Sequence, residues 1–104
     1  MKTVTNDNFD EEVLQSDKPV LVEFYSDSCI PCKRMSPVLA EIEEEYSDIK
    51  LVKLNINFSA ETAEKYSVMS SPTFVFFKDG SEVKRVRGVQ AKDDIEDIIG
   101  EVLS

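Results

Sequence analysis

Histidine and tryptophan are absent from this sequence of 104 residues, and cysteine occurs only twice. A structural zinc site needs four ligands, so two cysteines without any histidine disfavour one. No stretch approaches the ~20 apolar residues that span a bilayer. Residues 1–7 run into acidic sequence without the apolar segment of a secretory signal. We therefore expect a soluble, cytoplasmic protein without a metal site.

Basic residues are scarce relative to acidic ones. The chain has 12 lysines and arginines against 21 aspartates and glutamates, which gives a net charge of -9. This charge opposes non-specific binding to nucleic acid or to anionic membranes, and it favours a soluble monomer. From the net charge alone, we expect partner proteins to present neutral or basic surfaces.

The length and the apolar content fit one folded unit. A chain of 104 residues with 41% apolar residues can build one hydrophobic core. No repeat, low-complexity tract or linker-like composition divides the sequence. We therefore expect a single domain over residues 1–104.

Hydrophobic periodicity alternates between strand-like and helix-like segments. Residues 20–25 are almost continuously apolar, which is typical of a strand covered on both faces. Helical spacing follows from Cys29 to about Tyr46, and Asn6 is a candidate cap for an earlier helix. The predicted order β-α-β-α-β-α-β-β-α indicates an α/β fold with a mixed sheet. The remaining strands are predicted over 2–5, 50–56, 73–78 and 82–87, and the remaining helices around 60–66 and 95–103.

The two cysteines stand where a buried strand gives way to a helix. A bridge between them closes too short a loop to constrain the unfolded chain, which favours a chemical role over a purely structural disulfide. Unpaired amides at the helix N-terminus stabilise a thiolate on Cys29 and lower its pKa from about 8.5. Cys29 is therefore the predicted nucleophile, and Cys32 is the predicted resolving thiol. Pro31 suits the first helical turn and stiffens the loop.

Further segments accompany the cysteine pair along the chain. They are residues 20–25, Cys29-Ile30-Pro31-Cys32-Lys33, Lys53-Leu54-Asn55-Ile56, Ser71-Pro72-Thr73 and Gly88. In the order and spacing of these segments, the chain resembles the thioredoxin family along essentially its whole length. The resemblance implies a central five-stranded mixed β-sheet flanked by four α-helices, and exchange of the dithiol with disulfides of partner proteins. It also implies re-reduction by a thioredoxin reductase, without a bound cofactor.

Glu23 is a lone acid in an apolar strand. A buried carboxylate is costly unless it is paired or protonated, so Glu23 either titrates with a raised pKa or meets a cation. Lys53, in the neighbouring strand, is the candidate partner, and an internal ion pair without a kinetic role is one interpretation. The resemblance implies another, in which Glu23 moves protons to and from Cys32. The family usually has aspartate here, one methylene shorter.

Three further residues belong to the predicted substrate-binding set, together with Ile30 and Pro31. A proline before a strand ordinarily follows a trans bond, since only about 5–6% of such bonds are cis. The resemblance instead implies a cis Pro72 against the disulfide, with the backbone of Ser71 pairing with an extended substrate segment. Gly88 either allows close approach on the same face or simply forms a turn.

Several positions depart from the family pattern. Ser28 stands where tryptophan is usual, Ile30 where glycine is usual, and Tyr25 where another tryptophan is usual. Ser71 replaces an aliphatic residue. These changes alter the apolar rim around the cysteines, and we expect them to shift redox poise and partner choice.

Two other functions are compatible with the sequence. The chain could serve as a binding module or as an accessory subunit of a larger assembly, in which the cysteines matter mainly when reduced. An oxidase or isomerase of the same fold is disfavoured by the missing signal peptide and by the absence of histidine between the cysteines.

Overall fold

A computed structural model describes all 104 residues, Met1–Ser104. No helix in it is long and apolar enough to cross a membrane. The strands are β1 Lys2–Val4, β2 Val20–Tyr25, β3 Lys50–Asn55, β4 Thr73–Lys78 and β5 Ser81–Arg87. A short π-helix covers Asp10–Leu14, and the α-helices are α1 Ile30–Glu45, α2 Ala60–Lys65 and α3 Lys92–Leu103.

The five strands form one mixed sheet in the order β1-β3-β2-β4-β5. Strands β1, β3 and β2 are parallel, whereas β4 is antiparallel to both β2 and β5. The carboxyl ends of β1, β2 and β3 therefore share one edge with the start of β4 and the end of β5, which we call the carboxyl edge. The predicted five-stranded mixed sheet with four helices is confirmed, although the first helix is wound as a π-helix.

Alternate residues of β2 face two separate hydrophobic cores. Val20, Val22 and Phe24 belong to the core beneath the π-helix and α2, whereas Leu21 belongs to the core beneath α1 and α3. Strand β2 is thus buried on both faces, as its continuous apolar sequence predicts. Because side chains alternate along a strand, Glu23 lies on the same face as Leu21, toward α1 and α3.

Asn6 does not cap the helix that follows it. Its Oδ1 accepts hydrogen bonds from the Thr62 amide at 3.0 Å and from the Thr62 hydroxyl at 2.7 Å. The Thr62 amide lies in the first turn of α2, where helix amides lack partners within the helix. The prediction that Asn6 caps the first helix is therefore wrong, because the side chain satisfies a donor that only the fold brings near.

The turn between β4 and β5 consists of Asp79 and Gly80, whose φ angles are 53° and 80°. Two-residue hairpin turns of type I′ require positive φ at both positions, and aspartate followed by glycine meets this need. A Cβ on Gly80 would also lie 3.1 Å from the Leu14 carbonyl oxygen. The predicted hairpin is confirmed, with β5 beginning at Ser81.

We predict that Phe76→Ala lowers the free energy of unfolding by about 3–5 kcal/mol, because it opens a cavity in the core beneath α1 and α3. Phe76 is fully buried, whereas Val83 is 49% exposed. The matched control Val83→Ala should therefore change stability by no more than about 0.5 kcal/mol. Urea denaturation of both variants checks this, and similar losses in the two would contradict the assignment of Phe76 to the core.

Candidate active site

Cys29 is the N-cap residue of α1, and it is bonded to Cys32 as a disulfide. The Cys29 Sγ accepts a hydrogen bond from the Cys32 amide at 3.1 Å. That amide belongs to the first helical turn, whose donors are otherwise unpaired, and Pro31 beside it has no amide to leave unpaired. A sulfur anion at Cys29 would therefore meet a backbone donor and the positive end of the helix.

Both cysteines are almost covered in this oxidised form. Cys29 is 7% exposed and Cys32 is 5% exposed, so their relative exposure does not by itself separate the attacking sulfur from the resolving one. By contrast, the side chain of Ile30, which follows Cys29 in the sequence, is 62% exposed. The geometry of the helix start, rather than exposure, distinguishes the two cysteines.

The segment that precedes β4 lies against the segment that precedes α1. The Ser71–Pro72 peptide bond is cis, as the resemblance implies, and Pro72 is buried. The hydroxyl groups of Ser26 and Ser71 lie 3.2 Å apart and share a hydrogen bond. The carbonyl of Ser26 also accepts from the Cys29 amide at 3.2 Å. Ser26 therefore connects the backbone of Cys29 to the proline segment.

Gly88 follows β5 at the same edge, and its amide donates to the Pro72 carbonyl at 2.8 Å. Its φ of 80° lies in the left-handed region, which explains why glycine occupies this turn. A Cβ on Gly88 would meet no atom within 4 Å. The chain itself therefore requires glycine for its backbone angle, and the space beside it is free for a partner.

Glu23 lies in the middle of β2 with an exposed fraction of only 4%. Its Oε2 atom has no hydrogen-bond partner. Lys53 stands directly across from it in β3, yet no basic group forms an ion pair with Glu23 within 4.0 Å. The ammonium of Lys53 lies instead over the ring of Tyr25, 5.3 Å from its centroid. The interpretation of Glu23 and Lys53 as a closed internal ion pair is therefore not supported by this geometry.

A cavity of about 310 Å³ is lined by residues of β2, β3 and α1. Its walls include the side chains of Glu23, Cys32 and Lys53, so the acid and the inner cysteine face a common space. Asp27 and Lys33, both exposed, also line it, which connects the cavity to solvent. A polar space of this size accommodates several water molecules, and water can carry a proton between the two groups.

Burial raises the pKa of Glu23 from its ordinary value of 4.5 to about 7, and the positive charge of Lys53 opposes part of that rise. Desolvation dominates because the carboxylate loses water without gaining a hydrogen-bond donor. Near neutral pH, both the protonated and the ionised forms of Glu23 are therefore populated. A group with this property can accept a proton and return it.

The structure brings all of the predicted site residues together. The cysteine pair, Ile30 and Pro31 begin α1 at the carboxyl edge, Ser71 and Pro72 precede β4, and Gly88 follows β5. Glu23 and Lys53 lie behind the disulfide in the cavity. Sequence reasoning missed Ser26, because its hydrogen bond to Ser71 joins residues that are distant along the chain.

Comparison with known proteins gives a consistent set of relatives. The family model for thioredoxin matches residues 1–101. A thioredoxin of Alicyclobacillus acidocaldarius is 41% identical over 102 residues, which cover 97% of this chain and 96% of the relative. A thioredoxin of Streptomyces clavuligerus is 45% identical over 92 residues, or 88% and 86% of the two chains. A thioredoxin of Rickettsia prowazekii is 38% identical over 100 residues, or 95% of each.

We predict that Glu23→Gln stabilises the oxidised protein increasingly as the pH rises from 4.5 to 8. Below pH 4.5, Glu23 is protonated in the folded and unfolded chains alike, so its ionisation contributes no difference. Between 4.5 and about 7, the unfolded chain ionises first, which weakens the wild type. Above that range the unfolding free energy of the wild type is lower than that of the variant by the full amount, about 3 kcal/mol.

Urea denaturation of wild type and variant across this range measures the difference in unfolding free energy. The control Glu64→Gln removes an exposed acid and shows the effect of losing a carboxylate that is not buried. A difference between wild type and Glu23→Gln that stays constant from pH 4.5 to 8 would contradict an unpartnered buried carboxylate.

Proposed function

The chain belongs to the thioredoxin family, a family of protein thiol-disulfide oxidoreductases, and from this premise we propose that Cys29 attacks disulfides of partner proteins while Cys32 completes the exchange. The observation that carries the assignment is the position of Cys29 at the start of α1, with its Sγ 3.1 Å from the Cys32 amide. The sulfur that caps the helix is the one best stabilised as a thiolate.

The exchange proceeds in two displacements. The Cys29 thiolate attacks one sulfur of the partner's disulfide, forms a mixed disulfide and expels the other partner sulfur as a thiolate. The Cys32 thiolate then attacks the Cys29 sulfur, which expels the second partner thiolate. Two electrons pass to the partner, the two cysteines end as a disulfide, and the partner thiolates take up two protons.

Glu23 is proposed to receive the proton of Cys32 before the second displacement. A thiol must lose its proton to become a nucleophile, and Cys32 is buried where bulk water reaches it only through the cavity. Glu23 shares that cavity and has a pKa of about 7, which matches a proton acceptor that works near neutral pH. Lys53 is proposed to support the ionised form of Glu23.

Substrate binding is proposed to use the carboxyl edge around the disulfide. The backbone of Ser71 lies beside the start of β4 and would pair with an extended segment of the partner, as in strand addition. Ile30 and Pro31 would contact that segment from α1, and Pro72 and Gly88 from the opposite wall. The exposed fraction of Ile30 supports its contact with a partner.

Thioredoxin-family proteins act on disulfide substrates and are re-reduced by thioredoxin reductase. We extend both partners to this chain as part of the proposal. Such a cycle needs a compartment in which dithiols persist, and the cytoplasm is one. The chain is proposed to carry out this cycle as one domain, without a bound cofactor.

We predict that Cys29→Ser abolishes reduction of insulin disulfides with dithiothreitol as electron donor, because no thiolate remains to attack. Cys32→Ser should instead accumulate a mixed disulfide with the substrate, since the second displacement is lost. Turnover and mass spectrometry distinguish these outcomes. Equal rates for wild type and Cys29→Ser, neither of them above the dithiothreitol background, would favour the alternative, a binding module whose cysteines do no exchange chemistry.

We predict that Glu23→Gln slows the second displacement by roughly 10²-fold or more near neutral pH, which is the usual contribution of a positioned base. The rate should recover as the pH rises, because hydroxide then removes the Cys32 proton directly. Stopped-flow decay of a preformed mixed disulfide from pH 6 to 9 measures this step. An unchanged rate profile would leave Glu23 without a kinetic role, even if the variant is more stable.

A further inference from the structure

Large apolar side chains are exposed on both sides of the disulfide. Ile30 is 62% exposed in the first turn of α1, Met69 is 93% exposed shortly before β4, and Val89 is 54% exposed just after β5. The antiparallel pairing of β2, β4 and β5 brings these three segments to the carboxyl edge. Exposed apolar groups that gather at one edge mark a contact surface.

The same three segments carry an unexpected charge. Residues 26–34, 67–72 and 87–90 contain three basic side chains, Lys33, Arg34 and Arg87, but only one acidic side chain, Asp27. The three basic side chains are exposed, and none of them forms an ion pair. We call these three residues the basic rim. The surface formed by these three segments is therefore locally positive in a chain of net charge -9.

Ionic screening determines whether a bound partner interacts mainly with the basic rim or with the acidic side chains elsewhere in the chain. At about 0.15 M ionic strength, the interaction between exposed charges decays over about 8 Å. Glu41 and Glu43 to Glu45 lie near the far end of α1, which places them roughly 16–22 Å along the helix from Ile30 at 1.5 Å per residue. Two of them, Glu41 and Glu45, are also paired with Lys92, at 3.6 and 2.7 Å. A segment docked beside the disulfide is therefore closer to the basic rim than to these acids, which contribute little. The positive end of α1 acts in the same direction.

We propose that this surface selects disulfides whose flanking residues are acidic, held in an extended segment with its apolar side chains against Ile30, Met69 and Val89. The inference rests on the proposed function, and it names the class of substrate that this site prefers. It also reverses the expectation, drawn from net charge, of neutral or basic partners. Charge complementarity to the basic rim is what commits the surface to an acidic segment.

The test compares two peptides of equal length, each with one intramolecular disulfide, that differ only in carrying glutamate or lysine beside the cysteines. Protein reduced beforehand and freed of reductant is mixed with each peptide, and single-turnover rates are measured. Each rate is divided by that of dithiothreitol with the same peptide, because neighbouring charges alter the intrinsic reactivity of a disulfide.

At about 0.15 M ionic strength, we expect the acidic peptide to react roughly three- to tenfold faster after this correction, at the low end of electrostatic steering. At about 1 M the ratio should approach one, because interactions are then screened within about 3 Å. A ratio of one or below at the lower ionic strength would overturn the proposal.

The double variant Lys33→Gln/Arg87→Gln should bring the ratio close to one, whereas Lys33→Arg/Arg87→Lys should retain it. Any effect of Lys33 on the Cys29 thiolate cancels, since both peptides meet the same thiolate. The matched control is Lys84→Gln, which removes an unpaired, exposed basic side chain from the middle of β5. A decrease in the control as large as in the double variant would show that net charge is responsible, and the basic rim would be rejected.

Failure of the proposed function has a different signature. In that case neither peptide would be reduced faster by wild type than by Cys29→Ser. Cysteine-dependent reduction of both peptides at equal corrected rates would instead keep the exchange chemistry and reject the acidic preference.

Discussion

Strand β2 is hydrogen-bonded along both edges and covered on both faces, and this confinement determines where the chemistry can take place. It pairs with β3 from Val20 to Tyr25 and with β4 from Val20 to Phe24. A shift of register by one residue would exchange its side chains between the two cores and place Glu23 in the opposite one. The position of the end of β2 is therefore fixed, and α1 begins close to it. The capping position of Cys29 follows from where the strand stops.

Because β2 is covered on both faces, the ionised form of Glu23 destabilises the fold. Its ionisation near neutral pH lowers stability by about 3 kcal/mol, which is a large share of the roughly 5–15 kcal/mol that holds a domain folded. A valine at this position would remove the cost, but β2 would then carry no acid. Burial raises the pKa of Glu23 to about 7, and the cavity that Glu23 shares with Cys32 has room for water. The cost and the proposed proton-transfer role thus have one cause.

Features set by local sequence could be predicted, and those set by tertiary contact could not. The continuous apolar run of β2, the hairpin at Asp79 and Gly80 and the cysteine pair at a helix start are short-range patterns with direct structural meaning. The bond from Asn6 to Thr62 spans 56 positions, and that from Ser26 to Ser71 spans 45. Nothing in the neighbouring residues specifies such partners.

The expectation from net charge and the proposed acidic preference differ for a related reason, because composition adds charges without their positions. The three segments around the disulfide are locally positive, whereas Glu41 and Glu43 to Glu45 lie toward the other end of α1. Over a molecule 31 Å in its longest dimension, this separation creates a dipole that a single net charge cannot describe. A partner with acidic residues around its disulfide is repelled when it approaches the acidic end and attracted when it approaches the disulfide. Orientation before contact therefore comes from the arrangement of charges, and it brings the reactive sulfur toward its target without any increase in overall attraction.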